Sequence, residues 1–198
     1  FAARTTPGGE AIPTAYRPPL YPFVLAPLLV PPLLTLGRPE AAIGFLNFAL
    51  GVATVVLTAV LAARMKISQN GALAAGGLVA VDPLLLRGST LPMTETLAAF
   101  LAVLVMLSMD RASSHPCARR GAMAGGWFAL AALCRPVFLP AAVASGLLLA
   151  FVADADARGR WKVSAGFFAA LIVVLAPWGA RNYVQFGKPI VATTHGGY

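Results

Sequence analysis

From residue 41 to residue 63 the chain runs 23 positions without a charged side chain. As a helix this run is about 34 Å long, enough to cover the hydrocarbon of a bilayer. A backbone crosses lipid only if its N–H and C=O groups are satisfied within the segment, so the run reads as a transmembrane helix. Composition extends that reading to the whole chain. Of 198 residues, 59% are hydrophobic and 11% charged, whereas a soluble domain carries roughly 25% charged residues. So little charge cannot cover a water-soluble globule of this size. A soluble enzyme, a disordered chain and a coiled coil are therefore excluded. The 19 glycines and 16 prolines are high for soluble helices but tolerated in membrane ones. The expected fold is all-α: a polytopic membrane bundle of about six helices.

Five more spans are read along the chain. Residues 71–86 form the second, interrupted by Asp82-Pro83. Residues 91–109 form the third, with Glu95 near the start. Residues 121–134, ending at Arg135-Pro136, are the fourth; 136–153 and 163–180 are the fifth and sixth. Residues 18–37 are uncharged but contain Pro18, Pro19, Pro22, Pro27, Pro31 and Pro32. Interior prolines remove backbone hydrogen bonds and clash with the preceding turn, so this stretch is expected as an outer juxtamembrane element, not a regular span. The division that follows is 1–40, outer loop and juxtamembrane element; 41–180, the bundle; and 181–198, the start of an outer loop. The chain starts at Phe1 and stops after Gly196-Gly197, and it reads as a fragment truncated at both ends.

The formal charge is +8. In a soluble protein this would suggest nucleic acid. Here the basic residues lie between apolar runs, so lipid headgroups or an anionic lipid substrate are expected, and no nucleic acid. With six spans, residues 64–70, 110–120 and 154–162 share one side. They hold Arg64, Lys66, Arg111, Arg119, Arg120, Arg158, Arg160 and Lys162, whereas the short turns opposite hold only Arg87 and Arg135. The positive-inside rule makes the richer side cytoplasmic. A multi-pass protein of the cell membrane follows, with both chain ends extracytoplasmic. Cys117 and Cys134 have no metal spacing, and lying one in a loop and one in an apolar run they are not expected to pair.

In this topology the outer side collects Arg17, Arg38, Asp82, Arg87, Glu95, Arg135, Arg181, Asn182 and His195. Most of them have a plain structural reading. Arg17 can snorkel beside a proline turn, and Thr94 and Glu95 can cap a helix. Asp82 can cap a short helix, Arg135 suits a helix C-terminus, and Arg181-Asn182 can anchor at the interface. Ionisable groups near membrane depth nonetheless often mark a site, and several guanidinium forks together would suit a phosphate.

The motifs also carry a resemblance. Arg17-Pro18-Pro19-Leu20-Tyr21-Pro22, then Asp82-Pro83 and Thr94-Glu95, then Leu133-Cys134-Arg135-Pro136, and finally Pro177-Trp178-Gly179-Ala180-Arg181-Asn182-Tyr183, Phe186-Gly187 and Thr193-Thr194-His195-Gly196-Gly197 follow one another in this order. The series resembles the GT-C superfamily of polytopic glycosyltransferases. Within it, the nearest branch is the one related to dolichyl-phosphate-mannose-protein mannosyltransferase and lipid A aminoarabinose transferase. The resemblance implies a membrane enzyme that moves a sugar from a polyprenyl-phosphate donor to an acceptor on the outer face. It implies Glu95 as the acidic site residue. Substrate binding falls to Arg17, Tyr21, Asp82, Arg135, Arg181 and Asn182, with Arg17 and Arg135 on the donor phosphate. It fixes no cofactor, though a divalent cation is compatible with it, and it does not identify the acceptor. The family's main catalytic aspartate has no counterpart before Asp82 and is expected upstream of Phe1, so the fragment is expected to be inactive by itself. The competing expectations are a transporter or flippase subunit and a non-catalytic membrane scaffold. A flippase would want charges at mid-bilayer and matching halves, and neither is seen in the sequence.

Overall fold

The computed structural model describes residues 3–5, 11–13, 18–29, 39–89, 93–188 and 190. Arg17, Arg38 and residues 191–198, with the motif at 193–197, lie outside them. Two short strands, β1 (Ala3–Thr5) and β2 (Ala11–Pro13), pair antiparallel, with Arg4 opposite Ile12. Everything longer is helix: α1 (Leu20–Leu29), α2 (Pro39–Arg64), α3 (Gln69–Ala80), α4 (Pro83–Ser89), α5 (Glu95–Ser114), α6 (Ala118–Cys134), α7 (Phe138–Val152) and α8 (Ala157–Phe186). The fold is an all-α membrane helix bundle. By length and composition α2, α5 and α8 can cross a membrane, and α7 is a shorter apolar helix.

The sequence reading and the helices differ at several boundaries. The stretch 71–86 is two helices: Val81 and Asp82 separate α3 from α4, because Pro83 disfavours helical backbone in the residue before it. The loop expected at 110–120 shrinks, since α5 continues to Ser114 and α6 begins at Ala118. Likewise α8 starts at Ala157 and runs past Pro177 to Phe186. One lost backbone bond is tolerated inside a long membrane helix. The proline-rich stretch yields α1, ten residues long with Pro27 inside, too short to span.

The chain divides into two compact units, residues 1–22 with 108–198, and residues 23–107. In the first, α6 and α8 are packed most closely. A Cβ on Gly121 would collide with the Val163 backbone, one on Gly125 with the Phe167 backbone, and one on Gly166 with the Ala118 backbone. Small residues let membrane helices approach to backbone distance, where dispersion replaces the hydrophobic drive that lipid does not supply. Gly121 faces Val163 and Gly125 faces Phe167, so the two helices advance in the same direction and are parallel. Helix α7 joins them through Ser164, whose Oγ donates to the Gly146 carbonyl at 2.8 Å. Phe167 is fully buried and meets Phe128 and Phe168 edge-on, at centroid distances of 5.5 and 5.6 Å.

In the second unit α2 packs on α3, with Gly76 against the Val55 carbonyl and Ala59. Phe45, Phe48, Val52, Val56 and Val60 are exposed along α2. Their three- and four-residue spacing makes one exposed apolar stripe, and Phe48, Val52 and Val56 within it also line a cavity. Helix α2 ends in a Schellman motif: the Ile67 amide donates to the Ala62 carbonyl at 3.2 Å and the Lys66 amide to the Ala63 carbonyl at 3.1 Å. This puts Lys66 at φ 61°, the left-handed position that glycine fills without penalty. Gly187, at φ 65°, ends α8 in that way.

Two stability outcomes follow. Gly125→Leu is expected to cost about 1–3 kcal/mol by overpacking, lowering the detergent unfolding temperature, whereas Gly126→Ala, which meets nothing within 4 Å, does not lower it, because alanine is the better helix former. Lys66→Gly is expected to raise stability by about 1 kcal/mol in the same assay, by relieving left-handed backbone.

Candidate active site

Asp82 and Glu95 both belong to the second unit. Asp82 Oδ1 accepts from the Leu84 and Leu85 amides, each at 2.9 Å. The carboxylate thereby satisfies two of the otherwise orphaned donors at the start of α4. Glu95 is the first residue of α5. The Thr94 carbonyl before it accepts from the Ala98 amide at 2.8 Å, so Thr94 holds the capping position. At that end the helix dipole favours an anion. Glu95 is half-buried, with Oε2 out of contact with solvent. Gly88 of α4 keeps the approach open: a Cβ there would lie 3.2 Å from the Glu95 Cβ.

Next to Glu95 in sequence, Thr96 and Ala99 line a cavity of about 290 Å³ together with Asn47 and Thr54 of α2 and Leu85 and Leu86 of α4. Its lining is largely aliphatic, and Asn47, Thr54 and Thr96 are its buried polar members. Thr54 Oγ1 bonds back to the Leu50 carbonyl at 2.7 Å within its own helix. Neither Asn47 nor Thr96 carries one of the motif resemblances of the chain. An amide in the middle of an uncharged span was the available signal, because a polar group in lipid is costly unless it faces protein.

Tyr21, Arg135, Arg181 and Asn182 belong to the first unit. Tyr21 is buried near the start of α1. Arg135 ends α6: its backbone is extended, at φ −141° and ψ 121°, and its amide donates to the Ala131 carbonyl at 2.7 Å. The extended backbone follows from Pro136 after it. Its side chain is half-buried. Arg181 lies on aromatic faces, with its guanidinium carbon 5.0 Å from the Trp178 ring centroid and 5.6 Å from that of Phe186. Stacking of this kind holds the planar cation in one orientation. Arg181 Nη1 donates to Asn182 Oδ1 at 2.8 Å. Asn182, fully buried, donates from Nδ2 to the Ile190 carbonyl at 2.8 Å. Both amide ends of Asn182 are thus engaged, and the segment after α8 is tied to the helix.

Because α6 and α8 are parallel, Arg135 at the end of α6 and Arg181 near the end of α8 share one end of this unit. Among the described residues no three His, Cys, Asp or Glu side chains gather to hold a metal ion. Cys117 is exposed and Cys134 buried, and the two are not joined in a disulfide.

A family model described as dolichyl-phosphate-mannose-protein mannosyltransferase matches residues 31–137. The match takes in Asp82, Glu95 and Arg135 and stops before Arg181 and Asn182. No curated protein and no solved structure matches the chain.

Replacing Asn182 by Ala leaves the Ile190 carbonyl without its donor. The expected cost is about 1–3 kcal/mol, with faster proteolytic cleavage after Lys188; cleavage at the wild-type rate would show that the clamp does not hold this segment.

Proposed function

The chain belongs to the dolichyl-phosphate-mannose-protein mannosyltransferase family, and from that premise we propose that it moves a sugar from a polyprenyl-phosphate donor to an acceptor hydroxyl on the outer face of the cell membrane. What supports this reading is the family match over residues 31–137, which takes in both Glu95 and Arg135.

The reaction is a substitution at the anomeric carbon. The acceptor oxygen forms a bond there on the face opposite the lipid phosphate. The anomeric C–O bond breaks, the phosphate leaves with the electron pair, and the centre inverts. The charge developing on the phosphate oxygens needs cations placed in advance, in surroundings drier than bulk water. Arg135 is assigned to this, together with Arg17 of the Arg-Pro-Pro-Leu motif. Arg135 suits the role because Pro136 fixes the backbone that carries it. Arg181 is assigned to the donor end as well, oriented by Trp178, Phe186 and Asn182. Glu95 orients the acceptor hydroxyl. Asp82 supports the same end through the α4 cap. The acceptor proton passes to a carboxylate acting as general base.

The test uses the full-length protein and a synthetic polyprenyl-phosphate sugar. Arg135→Ala and Glu95→Gln are each expected to lower kcat/KM by about a hundredfold or more. Arg135→Lys is expected to recover part of the loss, as a point charge without the fork. Wild-type transfer by both Arg135→Ala and Glu95→Gln would refute the assignment.

A further inference from the structure

We propose that the end of the first unit formed by residues 110–120 and 154–162 is a binding surface for the phosphate headgroups of anionic membrane lipids. The two segments meet directly: the Asp154 amide donates to the Ser113 carbonyl at 2.8 Å. The starts of α6 and α8 are held together by Gly121 against Val163 and Gly166 against Ala118. The segments carry Arg111, Arg119, Arg120, Arg158, Arg160 and Lys162 against Asp110, Asp154 and Asp156, an excess of three positive charges.

Two of the arginines are taken up inside the protein. Arg120 Nη1 donates to the His115 carbonyl at 2.6 Å. Arg160 donates from Nε to the Ala155 carbonyl at 2.9 Å and from Nη1 to the Phe151 carbonyl at 2.8 Å, closing the end of α7. Asp156 is also engaged, capping α8 through the Gly159 amide at 2.9 Å. Arg111, Arg119, Arg158 and Lys162 are exposed. Their side chains make no hydrogen bond or ion pair among the described residues. Neither α6 nor α8 has an acidic residue in its first turn, and their parallel dipoles add positive potential at this same end. The arrangement is self-repulsive until an anion arrives from outside.

That anion is a lipid headgroup, because of where the membrane must lie. Helix α8 has 30 residues, about 45 Å of helix against about 30 Å of hydrocarbon. Its charged start, Ala157 to Lys162, therefore falls at the headgroup level. Trp161, exposed within that turn, is the side chain favoured there. Basic side chains gathered at the end of a span attract anionic lipid. The inference rests on the chain crossing a membrane and is independent of the transferase reading.

Native mass spectrometry of the purified full-length protein, with equal amounts of phosphatidylglycerol and phosphatidylcholine of matched chains, tests it. The wild type is expected to retain phosphatidylglycerol preferentially. Each of Arg119→Gln, Arg158→Gln and Lys162→Gln is expected to weaken that retention about fivefold, and the three together to abolish the preference. Arg158→Lys is expected to keep it, and excess inorganic phosphate not to displace the lipid. Equal retention of the two lipids by the wild type, an unchanged preference in the combined variant, or displacement by inorganic phosphate would overturn the proposal. If the combined variant does not fold, Arg158→Gln alone decides, an unchanged preference again being the contrary result.

Discussion

The close approach of α6 and α8 is the contact on which the first unit depends. Without Cβ atoms at Gly121, Gly125 and Gly166, the two backbones come near enough for dispersion to act along the helices. In lipid this matters more than side-chain hydrophobicity, because the solvent is as apolar as the side chains. The parallel direction that results has a consequence for chemistry. It sends the starts of both helices, with their arginines, to one end, and it sends Arg135 and Arg181 to the other. One packing choice thereby separates a lipid-headgroup surface from the candidate phosphate site.

The second unit follows a different constraint, the placement of polar groups in an apolar setting. Along α2 the aliphatic and aromatic stripe from Phe45 to Val60 is left outside, while Asn47 and Thr54 turn inward. They meet Thr96 around a cavity bounded by α4 and α5. Glu95 stands at the head of α5, where a helix terminus supports negative charge. Asp82, on the far side of α4, has its carboxylate committed to backbone amides. Two acidic residues of similar sequence setting thus hold different places: Asp82 caps the start of α4, and Glu95 heads α5, next in sequence to the cavity-lining Thr96. Arg181 and Asn182 repeat the pattern in the first unit, with the asparagine bound on both sides and the arginine held flat on two rings.

The amino-acid sequence by itself determined the class of the protein, because charge content and the run from 41 to 63 depend only on transfer between water and lipid. It determined the order of the helices, the shortness of the element after Leu20, through its prolines, and the family, through motifs spaced along the chain. Helix ends were less legible. Asp110, Arg111, Arg158 and Arg160 are polar enough to read as loop, yet they belong to α5 and α8, since backbone hydrogen bonding does not stop where the apolar run does. Asp82-Pro83 was visible as an interruption, but its reach, two helices and a capped turn, came from hydrogen bonds between neighbouring backbone groups. Only the tertiary structure decided which glycines touch another backbone, that α6 and α8 run parallel, and that Asn47 and Thr96 share a cavity. Those are contacts between segments distant in the chain, set by shape and polar satisfaction, and periodicity within one segment carries no information about its partner.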